Sequence, residues 1–360
     1  MHLLPQPPVT GEFVGYGDKV SVDQDRLAVV ERATRNTYVF IRNGYGEPVF
    51  ESMVELPNDN GPNIQDIRLA GELLLIATGE KLYIYQQEGA EWLLRRTYDE
   101  MLSSYEHFDL SGEYLIAGDT SGTNGEQHTV KIFRIDDNFD LGLVLDTENE
   151  FTPLNNSGFN STEGDLLKQV VINGDIAVAL IQRLHDTNDT HIGPDAVRTI
   201  LLFIQRDPIG DTWSVLGQRE PYVSAYAENS EFYEVEAEIA LDNESIVMSI
   251  VDTSPTDQRI EALLLSKDFQ GSNTWHPLVA LNPEVINSAI SAVAVNDDFM
   301  SVVIDGLINF IDIETAETQD GDADYHIDLI DNCLINANED QTDTDNDGYG
   351  NRCDADFTND

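Results

Sequence analysis

Basic residues are scarce in this chain. Nineteen Lys and Arg face 67 Asp and Glu across 360 residues, a formal charge of −48. A surface so acidic repels phosphate backbones and anionic lipid, which excludes nucleic-acid binding and works against membrane-surface binding. Cysteine is scarcer still, with two in the whole sequence, so neither a multi-disulfide scaffold nor a four-cysteine metal site can be built. No apolar run is long enough to span a bilayer; stretches such as Leu73–Ala77 are far too short. The N-terminal MHLLPQPPVTGEF has neither a basic start nor a long apolar stretch, so no signal peptide is present in this sequence. No GxSxG elbow, HExxH pair, phosphate-cradling glycine loop or CxxC motif occurs.

What the chain does have is concentrated near its end. Asp343, Asp345 and Asp347 occupy positions one, three and five of a twelve-residue loop that has Gly348 at six and closes on Asp354. This spacing wraps oxygen ligands around Ca²⁺: the glycine permits the sharp turn, and position seven, Tyr349, supplies a backbone carbonyl. The acidic excess is not confined to this tail. From Gln319 onward there are 13 acids and one base, which leaves 54 and 18 for the preceding body. Both cysteines, Cys333 and Cys353, bracket the loop. That placement argues for an oxidising compartment. An EF-hand fits less well, because no helical pattern flanks the loop and position twelve is Asp rather than Glu.

The whole segment Asp331–Asp354, DNCLINANEDQTDTDNDGYGNRCD, resembles a thrombospondin type 3 repeat. Leu334 stands where that family usually has Pro, and Asn351 where it usually has Asp. The resemblance implies that Cys333 and Cys353 form a disulfide and that Asn338 and Asp340 add secondary calcium ligands. Closing a loop of that size contributes about 3 kcal/mol, a useful amount in a module with almost no apolar core. Asp356, Thr358 and Asp360 then repeat the one-three-five spacing, so Asp356 is expected to open a second calcium loop, with the sequence a fragment ending inside it.

Before this module one pattern recurs six times: an apolar strand, a two- or three-residue polar turn and another apolar strand. The copies are Val20–Val30, Ile67–Ala77, Phe108–Gly118, Val170–Leu180, Ile239–Ser249 and Val293–Val303. Their turns use Gly, Asn, Asp and Ser, which suit tight hairpins. A third strand follows each copy, and a fourth, more polar one follows the first five. Six such units predict an all-β protein, a β-propeller with six blades favoured and seven the alternative, since four-stranded sheets bury one another's faces when packed radially. A β-sandwich array is the competing architecture, because it also shows short strands at regular intervals.

GDKVSVDQDRLAVV followed by NTYVFIRN (Gly17–Val30, Asn36–Asn43) resembles the FG-GAP repeats of bacterial surface proteins, related to the integrin alpha-chain propeller. The resemblance runs over residues 11–314. No blade has a DxDxDG loop, so the calcium sites of such propellers do not carry over.

Other candidate sites are weaker. His185 and His191 lie in a polar insertion whose spacing matches no metal motif. Trp92, Trp213 and Trp275 recur at equivalent positions and read as blade-packing anchors, with a sugar-stacking surface as the alternative. The expected organisation is a β-propeller over 1–314, an acidic linker over 315–330 and a calcium-binding repeat over 331–360. The expected function is that of a secreted or cell-surface protein whose propeller is a non-catalytic binding or adhesion platform for an extracellular protein or glycan. Ca²⁺ would be its cofactor. The alternative is an extracellular polysaccharide hydrolase or lyase on the same scaffold.

Overall fold

The computed structural model describes residues 16–45, 47–57, 63–99, 105–119, 129–147, 165–184, 196–225, 235–242, 245–252, 259–267, 275–281, 290–295, 299–304 and 307–312. The linker and repeat expected over 315–360 lie outside these residues, as do His185 and His191. The chain divides into two compact units, Met1–Ile181 with Leu201–Arg219 and Gln182–Ile200 with Glu220–Asp360, so the domain expected over 1–314 spans both.

The first unit holds three complete antiparallel sheets and most of a fourth. Sheet 1 is β1 (Tyr16–Asp23), β2 (Arg26–Glu31), β3 (Asn36–Arg42) and β4 (Pro48–Glu55). Sheet 2 is β5 (Ile64–Ala70), β6 (Leu73–Thr78), β7 (Lys81–Glu88) and β8 (Glu91–Asp99). Sheet 3 is β9 (Tyr105–Ser111), β10 (Tyr114–Asp119), β11 (Thr129–Ile135) and β12 (Leu141–Asp146). Sheet 4 is β13 (Asp165–Asn173), β14 (Ile176–Leu184), β15 (Ala196–Asp207) and β16 (Thr212–Ala225). In the second unit, sheet 5 is β17 (Val235–Asp242), β18 (Ser245–Asp252), β19 (Arg259–Lys267) and β20 (Trp275–Leu281). Sheet 6 has three strands among the described residues: β21 (Ile290–Val295), β22 (Phe299–Ile304) and β23 (Leu307–Asp312). All six expected hairpins are present, and every sheet is an up-and-down meander.

The first hairpins of sheets 1, 2, 3 and 5 close on a two-residue loop, with Asp23 opposite Arg26, Ala70 opposite Leu73, Ser111 opposite Tyr114 and Asp242 opposite Ser245. The first loop residue takes a left-handed φ: 57° at Gly71 and 56° at Gly112 and Gly174. Glycine adopts that conformation without a Cβ penalty. Sheet 1 places Gln24 at the same position with φ 51°.

Strand alternation sends one face of each sheet to each neighbour. Ala28, Val30, Val39 and Val54 of sheet 1 pack on Ile67, Leu69, Leu74, Ile76 and Tyr83 of sheet 2. The other face of sheet 2, with Leu75, Ala77, Leu82 and Ile84, packs on Phe108, Leu110, Leu115 and Ala117 of sheet 3. Covered on both sides, β6 reads as the unbroken LLLIA of the sequence. Sheets 3 and 4 approach so closely that a Cβ on Gly118 would overlap Leu167 Cδ2.

One regularity has no sequence signal. The register between third and fourth strands slips at Val39/Phe40, Ile84/Tyr85, Ile132/Phe133 and Leu264/Leu265. Such bulges bend the bulged strand and add twist; shifts also occur between first and second strands, at Tyr16/Val20, Ile64/Asp66, Gly118/Asp119 and Ile290/Ala292.

Candidate functional site

The first strands β1, β5, β9 and β13 carry polar side chains on one face of an otherwise apolar pattern, and these side chains join one sheet to the next. Leu69 N–H donates to Ser21 Oγ at 2.9 Å, and Gly71 N–H to Asp23 Oδ2 at 2.6 Å. The same positions repeat between sheets 3 and 4, where Ile172 N–H donates to Asp109 Oδ2 and Gly174 N–H to Ser111 Oγ, both at 2.9 Å. Each bond satisfies a backbone donor at, or just past, the free edge of a first strand that would otherwise be left open.

Sheets 2 and 3 are joined differently. Arg68 and Ala70 occupy the two acceptor positions, and neither side chain can accept a hydrogen bond. Arg68 Nε instead reaches Asp109 Oδ1 at 2.8 Å, and its Nη1 donates to Asp66 Oδ1 and to the carbonyl of Ile67, both at 2.7 Å. The guanidinium also lies 5.5 Å from the centroid of the Phe108 ring, within range of a cation–π contact. Burial pushes the Asp109 carboxyl up, against the pull of Arg68 and the backbone N–H groups of Ile172 and Leu110. Burial opposes the charge on Arg68, but Asp109 and Asp66 outweigh it and raise its pKa. His107 lies two residues before Asp109, at the β9 position matching Asp66 of β5.

A second polar network sits at the loop end of sheets 3 and 4. Arg206 Nε donates to Asp175 Oδ1 at 2.7 Å, and its Nη1 to the Tyr114 hydroxyl at 2.9 Å. Tyr114 donates to Asp211 Oδ1, and Arg134 Nη1 reaches Asp211 Oδ2 at 2.9 Å. Tyr114 also packs edge-on against Trp213 at 5.4 Å. Its members neutralise one another, so the network serves to brace the 208–211 loop.

Of the residues singled out from sequence, Trp92 and Trp213 are only 9% and 5% exposed, which makes them packing anchors and removes them from any sugar-stacking surface. The residues expected to bind calcium, Asn338, Asp340, Asp343, Asp345, Asp347, Tyr349, Asp354 and Asp356, and the expected disulfide partners Cys333 and Cys353, lie outside the described residues. Among the described residues no group of three or more His, Cys, Asp or Glu is placed to hold a metal ion. Asp66, Arg68 and Asp109 were not anticipated. Their signal was a base at Arg68, where the other first strands have Ser, Asp, Val or Ala.

No family model matches the chain, and no curated protein matches its sequence. Among solved structures it is similar to the β-propeller domain of Nup133 from Vanderwaltozyma polyspora, with a TM-score of 0.50 at 8% identity, over 80% of this chain and 79% of that one. The chain has the β-propeller fold. The propeller is also similar to the WD40 domain of Pan2 from Neurospora crassa, with a TM-score of 0.45 at 11% identity, over 84% of this chain and 77% of that one. At such identities the likeness is one of fold alone.

Proposed function

We propose that this propeller is a non-catalytic binding or adhesion platform of a secreted or cell-surface protein. In this reading it has six blades, with seven the alternative, and presents an extracellular protein or glycan ligand. The FG-GAP resemblance of residues 11–314 and the thrombospondin type 3 resemblance of 331–354 both favour such a role. The observation that carries the reading over a catalytic one is the state of the first-strand carboxylates Asp66 and Asp109. Hydrolysis of a glycoside calls for one carboxyl that gives up a proton and a second that attacks or activates water. Here Asp66 and Asp109 share one guanidinium, and both Asp109 oxygens are already engaged.

The C-terminal repeat is proposed as a calcium-stabilised spacer. Its donor set is all oxygen, which suits a hard cation, with Asp343, Asp345, Asp347, Tyr349 and Asp354 as ligands and Asn338, Asp340 and Asp356 in support. Titration calorimetry of the full chain, with the cysteines oxidised, should register calcium binding that is lost when Asp343, Asp345 and Asp347 become Asn. Silence at millimolar calcium would remove the spacer reading.

A second reading, an extracellular polysaccharide hydrolase or lyase, is favoured by His107, which brings a titratable imidazole beside Asp109 in β9. A screen of the full chain against glycans and matrix proteins, with and without calcium, separates the two. Retention of an intact ligand supports the platform. Release of new reducing ends or unsaturated products establishes the enzyme.

A further inference from the structure

The joint between sheets 2 and 3 lacks the backbone latch that its two neighbours have, because Arg68 replaces an acceptor. The guanidinium there is held from three sides, by Asp109, Asp66 and the Ile67 carbonyl. Even so its side chain is 26% exposed, and that of Asp66 is 25% exposed. Nη2 of Arg68 makes no hydrogen bond among the described residues. Oδ1 of Asp66 takes two, from Arg68 Nη1 at 2.7 Å and Ile67 N–H at 2.8 Å, while Oδ2 takes none among the described residues. An immobilised donor and an immobilised acceptor therefore remain side by side on β5.

We infer that the Asp66–Arg68 pair on β5 is a binding site for a neutral saccharide, taking up two adjacent hydroxyl groups. The inference rests on the platform reading above and names its ligand class. A hydroxyl both donates and accepts, so neighbouring hydroxyls can give a proton to Asp66 Oδ2 and receive one from Arg68 Nη2. Charge decides against the other classes. Two carboxylates around one guanidinium leave the cluster negative within a strongly acidic chain, which disfavours uronates and sulfated sugars. An ammonium group would satisfy Asp66 but face the Arg68 donor. Because three hydrogen bonds already fix the guanidinium, little side-chain freedom is lost on binding.

The test is Asp66→Asn in the full chain. Asn keeps an oxygen to accept from Arg68 and Ile67 and turns the outward acceptor into a donor. Titration with neutral xylo-, manno- and galacto-oligosaccharides should show at least a tenfold loss of affinity with an unchanged Tm. Wild-type affinity in Asp66→Asn would overturn the site. Should that variant fold poorly, amide exchange of the wild-type protein with the same oligosaccharides decides: protection at 64–70 and 105–111 is expected, and protection confined to other strands overturns it. Binding of a protein ligand with no neutral saccharide bound removes this site and leaves the platform standing. Binding of neither class removes both.

Discussion

The carboxylate of Asp109 accepts Arg68 Nε with one oxygen at 2.8 Å and, with the other, the backbone N–H of Ile172 at 2.9 Å. One largely covered side chain thus ties sheet 3 to the sheet before it and to the sheet after it. Removing one partner of a fully buried ion pair costs about 3–5 kcal/mol, because the other charge is left uncompensated; here Arg68 is 26% and Asp109 19% exposed, so water screens part of that cost. Asp109→Ala should therefore lower the unfolding free energy of the full chain, read from urea denaturation, by about 1–3 kcal/mol, and Arg68→Ala by a similar amount. The double substitution should cost less than the two combined, as expected for residues in direct contact. Additive effects would show that the pair is not coupled.

Gln24 adopts φ 51° where three other sheets use glycine. A side chain in that region costs about 1 kcal/mol. Gln24→Gly should raise stability by roughly that amount, reduced somewhat by the extra freedom glycine gives the unfolded chain. Gly112→Ala, at φ 56°, should do the reverse. Thermal unfolding of the two variants checks the pair of signs together.

Tyr16 has its hydroxyl pushed up to about 12 by burial, with smaller contributions from Tyr38 and Glu31. Its ring stands 5.9 Å from that of Tyr38. Because the folded value lies above the unfolded one, the stability tied to neutral Tyr16 is whole below pH 10 and is lost as the pH rises toward 12. Ultraviolet titration should show a late-ionising tyrosine that disappears in Tyr16→Phe. An unchanged titration curve in that variant would assign the late step elsewhere.

Asp211 behaves in the opposite sense. The Tyr114 hydroxyl, and after it Arg134 and Arg206, hold its carboxyl below the ordinary value of 3.8. Its contribution is present above the unfolded pKa and is lost as the pH falls through the lower, folded one. Asp211→Asn should weaken the loop end of sheets 3 and 4 at neutral pH and flatten the acid limb of the stability profile. Amide exchange across 207–214, measured at pH 7 and pH 3, reads both effects.

The scaffold was legible because its code is local. Alternating apolar residues and Gly, Asp or Asn turns mark Val20–Val30 or Phe108–Gly118 as hairpins without reference to anything distant. Trp92 and Trp213 were readable for the same reason, since each is the second residue of a fourth strand. The Asp66–Arg68–Asp109 cluster was not legible. Arg68 and Asp109 lie 41 residues apart, and in a chain with 67 acids no single carboxylate stands out. The repeated bulges also escaped notice, because one extra residue in an outer strand leaves no mark on hydrophobic alternation.

Where a backbone N–H joins one first strand to another, the hydrogen bond runs in one direction along the chain. Ser21 and Asp23 precede Leu69 and Gly71, and Asp109 and Ser111 precede Ile172 and Gly174. In both cases the acceptors belong to the sheet synthesised first. Chains are made from the N-terminus, and domains can begin folding during synthesis. A nascent hairpin from sheet 2 or sheet 4 would therefore emerge beside acceptors already in position, giving these blades a growth polarity that matches translation.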